Sequence, residues 1–136
     1  MTTGIYGGDA WEDIGVCLLA RFAAVSGSGA ASPQTKEGSL ITQADVSSIA
    51  VKVFDSDKNQ VGSTLAPTAS ATVFDTLQTT ATWENMTDGG NFRYVVPGTY
   101  FPIGGTTNRV EVVITLTDGT KLPAVWKLEV QEMLST

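Results

Sequence analysis

Histidine is absent from this 136-residue chain, and cysteine occurs once, as Cys17. Without histidine there is no Ser-His or Cys-His pair to activate a nucleophile. A single cysteine forms no disulfide within the chain. Charge is scarce too. Charged residues make up 16 %, against roughly 25 % in an average globular domain. Eight basic residues face fourteen acidic ones, for a net charge of −6. The basic residues are scattered, whereas a nucleic-acid backbone needs clustered Lys and Arg, so no nucleic acid is expected as a partner. An anionic membrane surface is disfavoured for the same reason. The longest apolar run, Val16 to Val25, is interrupted by Arg21 and is too short to span a bilayer. The start, Met1-Thr2-Thr3-Gly4, lacks a basic segment followed by an apolar one, so no secretory signal is expected. There is no phosphate-cradling glycine loop and no Cys/His cluster with metal-ligand spacing. No cofactor and no metal are expected.

What the chain does have is short alternating apolar segments separated by Gly, Pro, Asp, Asn, Ser and Thr. The length fits one domain, and a chain this long buries roughly two thirds of its unfolded surface. The clearest signal lies near the C-terminus. Over Arg109 to Thr117, Val110, Val112, Ile114 and Leu116 share one face. Asp118-Gly119 is a hairpin turn, since glycine accepts positive φ without a Cβ penalty. Lys121 to Gln131 returns with Leu122, Ala124, Trp126, Leu128 and Val130 inward. Pro123 lacks a ladder donor and is expected at an edge or bulge.

Upstream, strands are predicted at Ser48 to Phe54, Val61 to Leu65, Ser70 to Phe74 and Asn91 to Val96, the last with Phe92, Tyr94 and Val96 on one face. A strand is also predicted at Gln78 to Glu84, which is Thr-rich and carries Trp83. Pro97-Gly98 stops the Asn91 strand and Tyr100-Phe101-Pro102 begins a corner. Ile14 to Val25 reads as the first strand. Val16, Leu18, Ala20, Phe22 and Ala24 occupy one face and Cys17, Leu19, Ala23 and Val25 the other. Both faces look covered, which predicts a central strand or one lying against a partner, with Cys17 a small buried hydrophobe. No helix of three turns is evident. The prediction is an all-β fold: an immunoglobulin-like antiparallel β-sandwich of about seven to eight strands over residues 14–132, with an extended N-terminal arm at 1–13 and a tail at 133–136.

Two segments stand outside the strand pattern. The arm is Gly-rich yet holds Ile5, Tyr6 and Trp11, and disordered tails are poor in aromatics. It either folds back on its own domain or docks on a neighbouring subunit, and both readings stay open. Residues 26–39, SGSGAASPQTKEGS, read as a flexible polar loop, longer than most connections within a compact domain. Ile5, Tyr6, Trp11, Pro33, Lys36 and Glu37 are therefore the candidate subunit-contact residues.

Candidate chemistry is thin. The carboxylate pairs Glu12 with Asp13, Asp55 with Asp57, and Glu84 with Asp88 all fall in the arm or in turns, where solvated charge is the ordinary explanation. A glycosidase needs carboxylates on rigid strands above an aromatic-lined groove, and Trp83 with Glu84 is the nearest approach. The spacing Asp55-x-Asp57-x-Asn59 matches the start of a calcium loop, but Gln60 stands where that loop has Gly and Ala66 where it has Glu. It reads as a solvated hairpin turn. Asn85-Met86-Thr87 matches a glycosylation acceptor, but nothing in the sequence indicates a secretory route.

Asp75-Thr76-Leu77, then Trp83, then Asn91-Phe92-Arg93, then Pro97, then Arg109-Val110-Glu111 with the Thr117-Asp118-Gly119 turn form a series. The series resembles a group of phage-encoded immunoglobulin-like domains, the modules of tailed-phage baseplate, tail and head-decoration proteins. The likeness covers the C-terminal half and extends to the N-terminal half only in strand order. The chain departs from the group at Asp88-Gly89-Gly90-Asn91, where the resemblance leads one to expect an aromatic before the Asn and Gly90 stands instead. The resemblance implies a non-enzymatic structural protein of a virion, assembled in the host cytoplasm in several copies at the head, neck, tail or baseplate. Its implied partners are other virion proteins and copies of itself, and it carries over no catalytic residue. The alternative is a binding module for host-surface glycans, in which Trp83, Tyr94, Tyr100 and Phe101 stack on sugar rings if they are exposed.

Overall fold

The computed structural model describes residues 5–23, 40–80, 83 and 89–134, with side chains from residue 10 onward. Eight strands follow one another: β1 (Ile5–Trp11), β2 (Val16–Ala20), β3 (Val46–Phe54), β4 (Gln60–Leu65), β5 (Val73–Gln78), β6 (Gly90–Val96), β7 (Thr106–Leu116) and β8 (Lys121–Gln131). They form a five-stranded sheet in the order β1-β8-β7-β3-β4 and a three-stranded sheet in the order β2-β6-β5. This is the all-β sandwich that the strand periodicity predicts.

The large sheet is built on the β7–β8 hairpin. Period-two alternation puts Val110, Val112, Ile114 and Leu116 of β7 and Leu122, Ala124, Trp126 and Leu128 of β8 inward, with Val110 opposite Trp126, Val112 opposite Ala124 and Ile114 opposite Leu122, and all are buried. β3 pairs on the other side of β7, so that Ile49 meets Ile114, Val51 meets Val112 and Val53 meets Val110. Such branched pairs opposite one another fill a pleated inner face well. Outward, Lys52 opposes Glu111, and Arg109 is ion-paired with Glu111 across one pleat. Gly119 closes the β7–β8 turn at φ 89° with open space around it, so its role is conformational. Pro123 pairs with Val113 on the β7 side and lies before Val125, the first described residue of β8 to pair with β1.

The small sheet closes the core from the other side. Leu18 and Ala20 of β2 and Phe92 and Val96 of β6 are buried against the large sheet. Phe92 sits edge-on to Phe22, with ring centroids 5.3 Å apart, and 6.5 Å from Trp126 of the opposite sheet. It is the ring that joins the two layers.

The structure departs from the sequence reading in four places. Residues 5–11 of the predicted arm are a strand, paired in parallel with β8 from Ile5 opposite Val125 to Trp11 opposite Gln131. The arm thus folds back on its own domain, and the sandwich is not wholly antiparallel. The first predicted strand is shorter than Ile14–Val25, and it is an edge strand of the small sheet rather than a central one. Among the described residues nothing covers its second face fully: Cys17 is exposed and Leu19 half-buried. Alternation of apolar residues signals a strand but cannot tell a partner from solvent. Ser70 to Phe74 is not a strand throughout. Ala69–Thr72 makes one helical turn, held by the Thr72 hydroxyl donating to the Thr68 carbonyl at 2.9 Å, and β5 starts only at Val73. Trp83 is not on a strand either. Its amide donates to the Thr80 carbonyl at 3.1 Å in a turn, and its ring packs edge-on against Phe74.

Candidate interaction surface

The passage from β1 to β2 crosses from one sheet to the other within Glu12 to Gly15, and it is strapped down at every step. The amide of Glu12 donates to Gln131 O at 3.0 Å and that of Asp13 to Phe101 O at 2.9 Å. The Glu12 carboxylate accepts from two more amides, Gly104 N at 3.1 Å and Met133 N at 2.7 Å. One side chain therefore ties the start of β7 and the end of β8 to the crossing. Gly98 and Gly104 let the backbones meet. A Cβ on Gly98 would lie 2.3 Å from Asp13 O, and one on Gly104 would lie 2.5 Å from Glu132 Cα.

Against this rigid strap lies a shallow groove of about 750 Å3, lined by Trp11, Ile14, Gln131, Glu132, Met133 and Leu134. Trp11 and Ile14 are each half-exposed and Leu134 is almost fully exposed. Next to it, the outer face of the small sheet continues with Cys17 opposite Val95 and Leu19 opposite Arg93. Cys17, Val95, Arg93 and the following Arg21 are all exposed. Apolar side chains rimmed by charge form a surface suited to another protein rather than to a small substrate.

Two edges of the fold show guards against further pairing. β4 carries Gly62 at φ 69°, a register shift against β3, and a hydrogen bond from the Tyr100 hydroxyl to Ser63 O at 3.1 Å. β5 is covered at its start by Gln43, whose amide donates to Asp75 Oδ1 at 2.7 Å and whose side chain donates to Val73 O at 2.8 Å. Bulges and covering groups of this kind discourage edge-to-edge association.

A second cluster is structural. Asn91, fully buried on β6, accepts from Phe22 N at 2.7 Å and donates to Phe22 O at 3.0 Å and Ile41 O at 3.1 Å. Its amide thus takes the place of a ladder where β2 ends, and it joins the two ends of the connection between β2 and β3. Asp45, also buried, accepts from the Thr42 amide and hydroxyl at 2.9 and 3.1 Å. Burial raises the Tyr94 phenol above its ordinary value, and the neighbouring Tyr100 adds to this.

The sequence-derived candidates are scattered. Trp11 lies in the groove. Ile5 and Tyr6 contribute backbone to β1, opposite Val125 and Trp126. Pro33, Lys36 and Glu37 lie outside the described residues, as do Glu84, Asp88 and the Asn85 acceptor site. Of the carboxylates, Glu12 is occupied by two backbone amides, and Asp55 Oδ1 accepts from Asp57 N and Asn59 N, each at 2.9 Å. The latter is a self-closed Asx turn. Among the described residues no group of three or more His, Cys, Asp or Glu stands together. Of the four aromatics considered for glycan stacking, Trp83 and Phe101 are buried and Tyr94 and Tyr100 half-buried. Sequence reasoning missed Ile14 and Leu134, two apolar residues beside polar neighbours, and the clamp role of Glu12. Local pattern carried no signal for either.

No protein-family model, curated protein or solved structure matches the chain. Among the described residues no helix is long and apolar enough to cross a membrane.

Proposed function

We propose that the protein is a non-enzymatic structural component of a tailed-phage virion, present in several copies and acting through contacts with copies of itself and other virion proteins. The observation that carries this reading is the exposed apolar groove of Trp11, Ile14 and Leu134 beside a strap immobilised by Glu12. A rigid apolar surface is what a repeated subunit needs, because little ordering entropy opposes docking. The residues behind the likeness to phage immunoglobulin-like domains fit the same reading. Asn91 and Phe92 hold the framework, and Arg109 with Glu111 decorates its outside. The glycan-binding alternative is less favoured, because burial removes Trp83 and Phe101 from a stacking platform.

The experiment is quantitative mass spectrometry and antibody labelling of purified particles from the host that carries this sequence. The expected result is several copies per intact particle. Abundant protein in the lysate with none in particles would overturn the reading.

A further inference from the structure

Asn108 is a buried amide without a use in the framework. It lies on the inner face of β7, one residue before Arg109, which pairs with Phe54 at the end of β3, and it is 3 % exposed. Among the described residues its Nδ2 makes no hydrogen bond. Its Oδ1 lies 3.4 Å from the Thr106 hydroxyl, but that hydroxyl has one proton and gives it to Ile103 O at 2.9 Å. Asn91, by contrast, is bonded at both ends of its amide. Leaving a buried polar group unmatched is costly, so such a group calls for an explanation. The amide lines a cavity of about 280 Å3 beside the β3–β4 turn. The turn brings Asp55 and Asp57 to the same cavity. Asp55 Oδ1 is held by two backbone amides, which fixes the carboxylate and leaves Oδ2 open. Among the described residues the one ion pair is Arg109 with Glu111, so neither Asp55 nor Asp57 has a counter-charge. Pro102 and Ile103 add an apolar wall, and Ile103 is 63 % exposed.

We infer that this cavity takes the side chain of one arginine presented by a partner protein. Pockets for whole small molecules run to roughly 300–1,000 Å3, so this one is of a size for a single side chain. Ionised carboxylates only accept hydrogen bonds, so the occupant is a donor, and their missing counter-charge makes it a cation. A guanidinium is planar, always charged and carries its donors in a fixed fork, so it meets several separate acceptors at once, whereas an ammonium is a compact point charge. The methylenes of the arginine stem pack along Pro102 and Ile103. A calcium ion takes roughly 6–8 oxygens and would leave that apolar wall unused. On binding, the Asn108 amide turns over. Nδ2 then donates to Thr106 Oγ1, which has spent its proton and can only accept, and Oδ1 faces the guanidinium. Both ends of the amide gain the partner that the free chain lacks.

The cavity shares no lining residue with the Trp11 groove. Its occupant is tested on the purified chain, while particle composition decides the virion role separately. The isotope-labelled full chain is titrated with N-acetyl-arginine methylamide to tens of millimolar and followed by amide NMR shifts. The neutral citrulline analogue and calcium chloride are titrated in parallel. The expected result is a saturable shift of the Asn108 side-chain amide and of the backbone amides of residues 56–59, from the arginine probe alone and weakened by salt. Asp57→Asn should keep the parent's melting curve, because Asp57 is exposed, yet weaken the arginine probe roughly tenfold. Asn108→Leu, of similar size, should lose the shifts at residues 56–59. The absence of a saturable shift, equal binding of the citrulline analogue, the same shifts from calcium, or full binding by Asp57→Asn overturns the inference. The wild-type titration and Asp57→Asn decide the matter even if Asn108→Leu misfolds.

Discussion

The β7–β8 hairpin and the small sheet reach the same burial by different means. In the hairpin the strands pair residue by residue, and the register runs unbroken from Thr106 opposite Val130 to Thr115 opposite Lys121. Many equivalent pairs share the load, so no single polar group matters much. The small sheet has short ladders, and β5 meets β6 only at Val73 and Gln78, with an irregularity between. There a few particular side chains substitute for missing pairs: Asn91 at the end of β2, Gln43 beside β5 and Glu12 at the crossing. Redundant pairing tolerates change, whereas a sheet pinned by single polar side chains is stable but exposed to single substitutions.

That contrast can be broken at its strongest point first. Phe92→Ala removes the ring between both sheets and should cost about 3–5 kcal/mol, as for other buried aromatics. Chemical denaturation measures it. A loss below about 1 kcal/mol would mean the layers do not depend on that ring. Asn91→Ala comes next. It leaves Phe22 N, Phe22 O and Ile41 O without their partner, for an expected loss of about 3 kcal/mol. Hydrogen exchange should quicken in β2 far more than in β7 and β8. Uniform acceleration would erase the distinction between the two regions.

Glu12→Ala should cost about 2 kcal/mol through two charge-assisted bonds. The Gly104 and Met133 amides should exchange faster while the β7–β8 turn stays protected. The smallest effect belongs to that turn. The Thr120 amide donates to Asp118 at 2.9 Å and holds its carboxyl below the usual value of 3.8. A depressed folded value means the contribution is present above the unfolded pKa and is lost as pH falls through the folded one. Asp118 is fully exposed, so the change below pH 3.8 should be slight. Asp118→Asn should remove that slight increment from the acid melts.

The sequence by itself determined the large sheet's framework. Over β3, β7 and β8, alternating apolar residues and an Asp-Gly turn leave little freedom, because slipping the register by one residue would turn every inward side chain to solvent. The same local logic found the β3–β4 turn and the inward face of β6. It did not separate Ser70 to Phe74 into a helical turn and a strand start, since small residues there make no amphipathic pattern of either period. Only the tertiary structure decided that residues 5–11 join β8 in parallel, because that pairing links the two ends of the chain and leaves no mark in neighbouring residues. It likewise decided that Glu12 clamps two distant amides, that Asn91 ends β2, and that Cys17 and Val95 face outward. Periodicity states which residues share a face. What covers that face depends on contacts between residues far apart in sequence, and these exist only once the chain has folded.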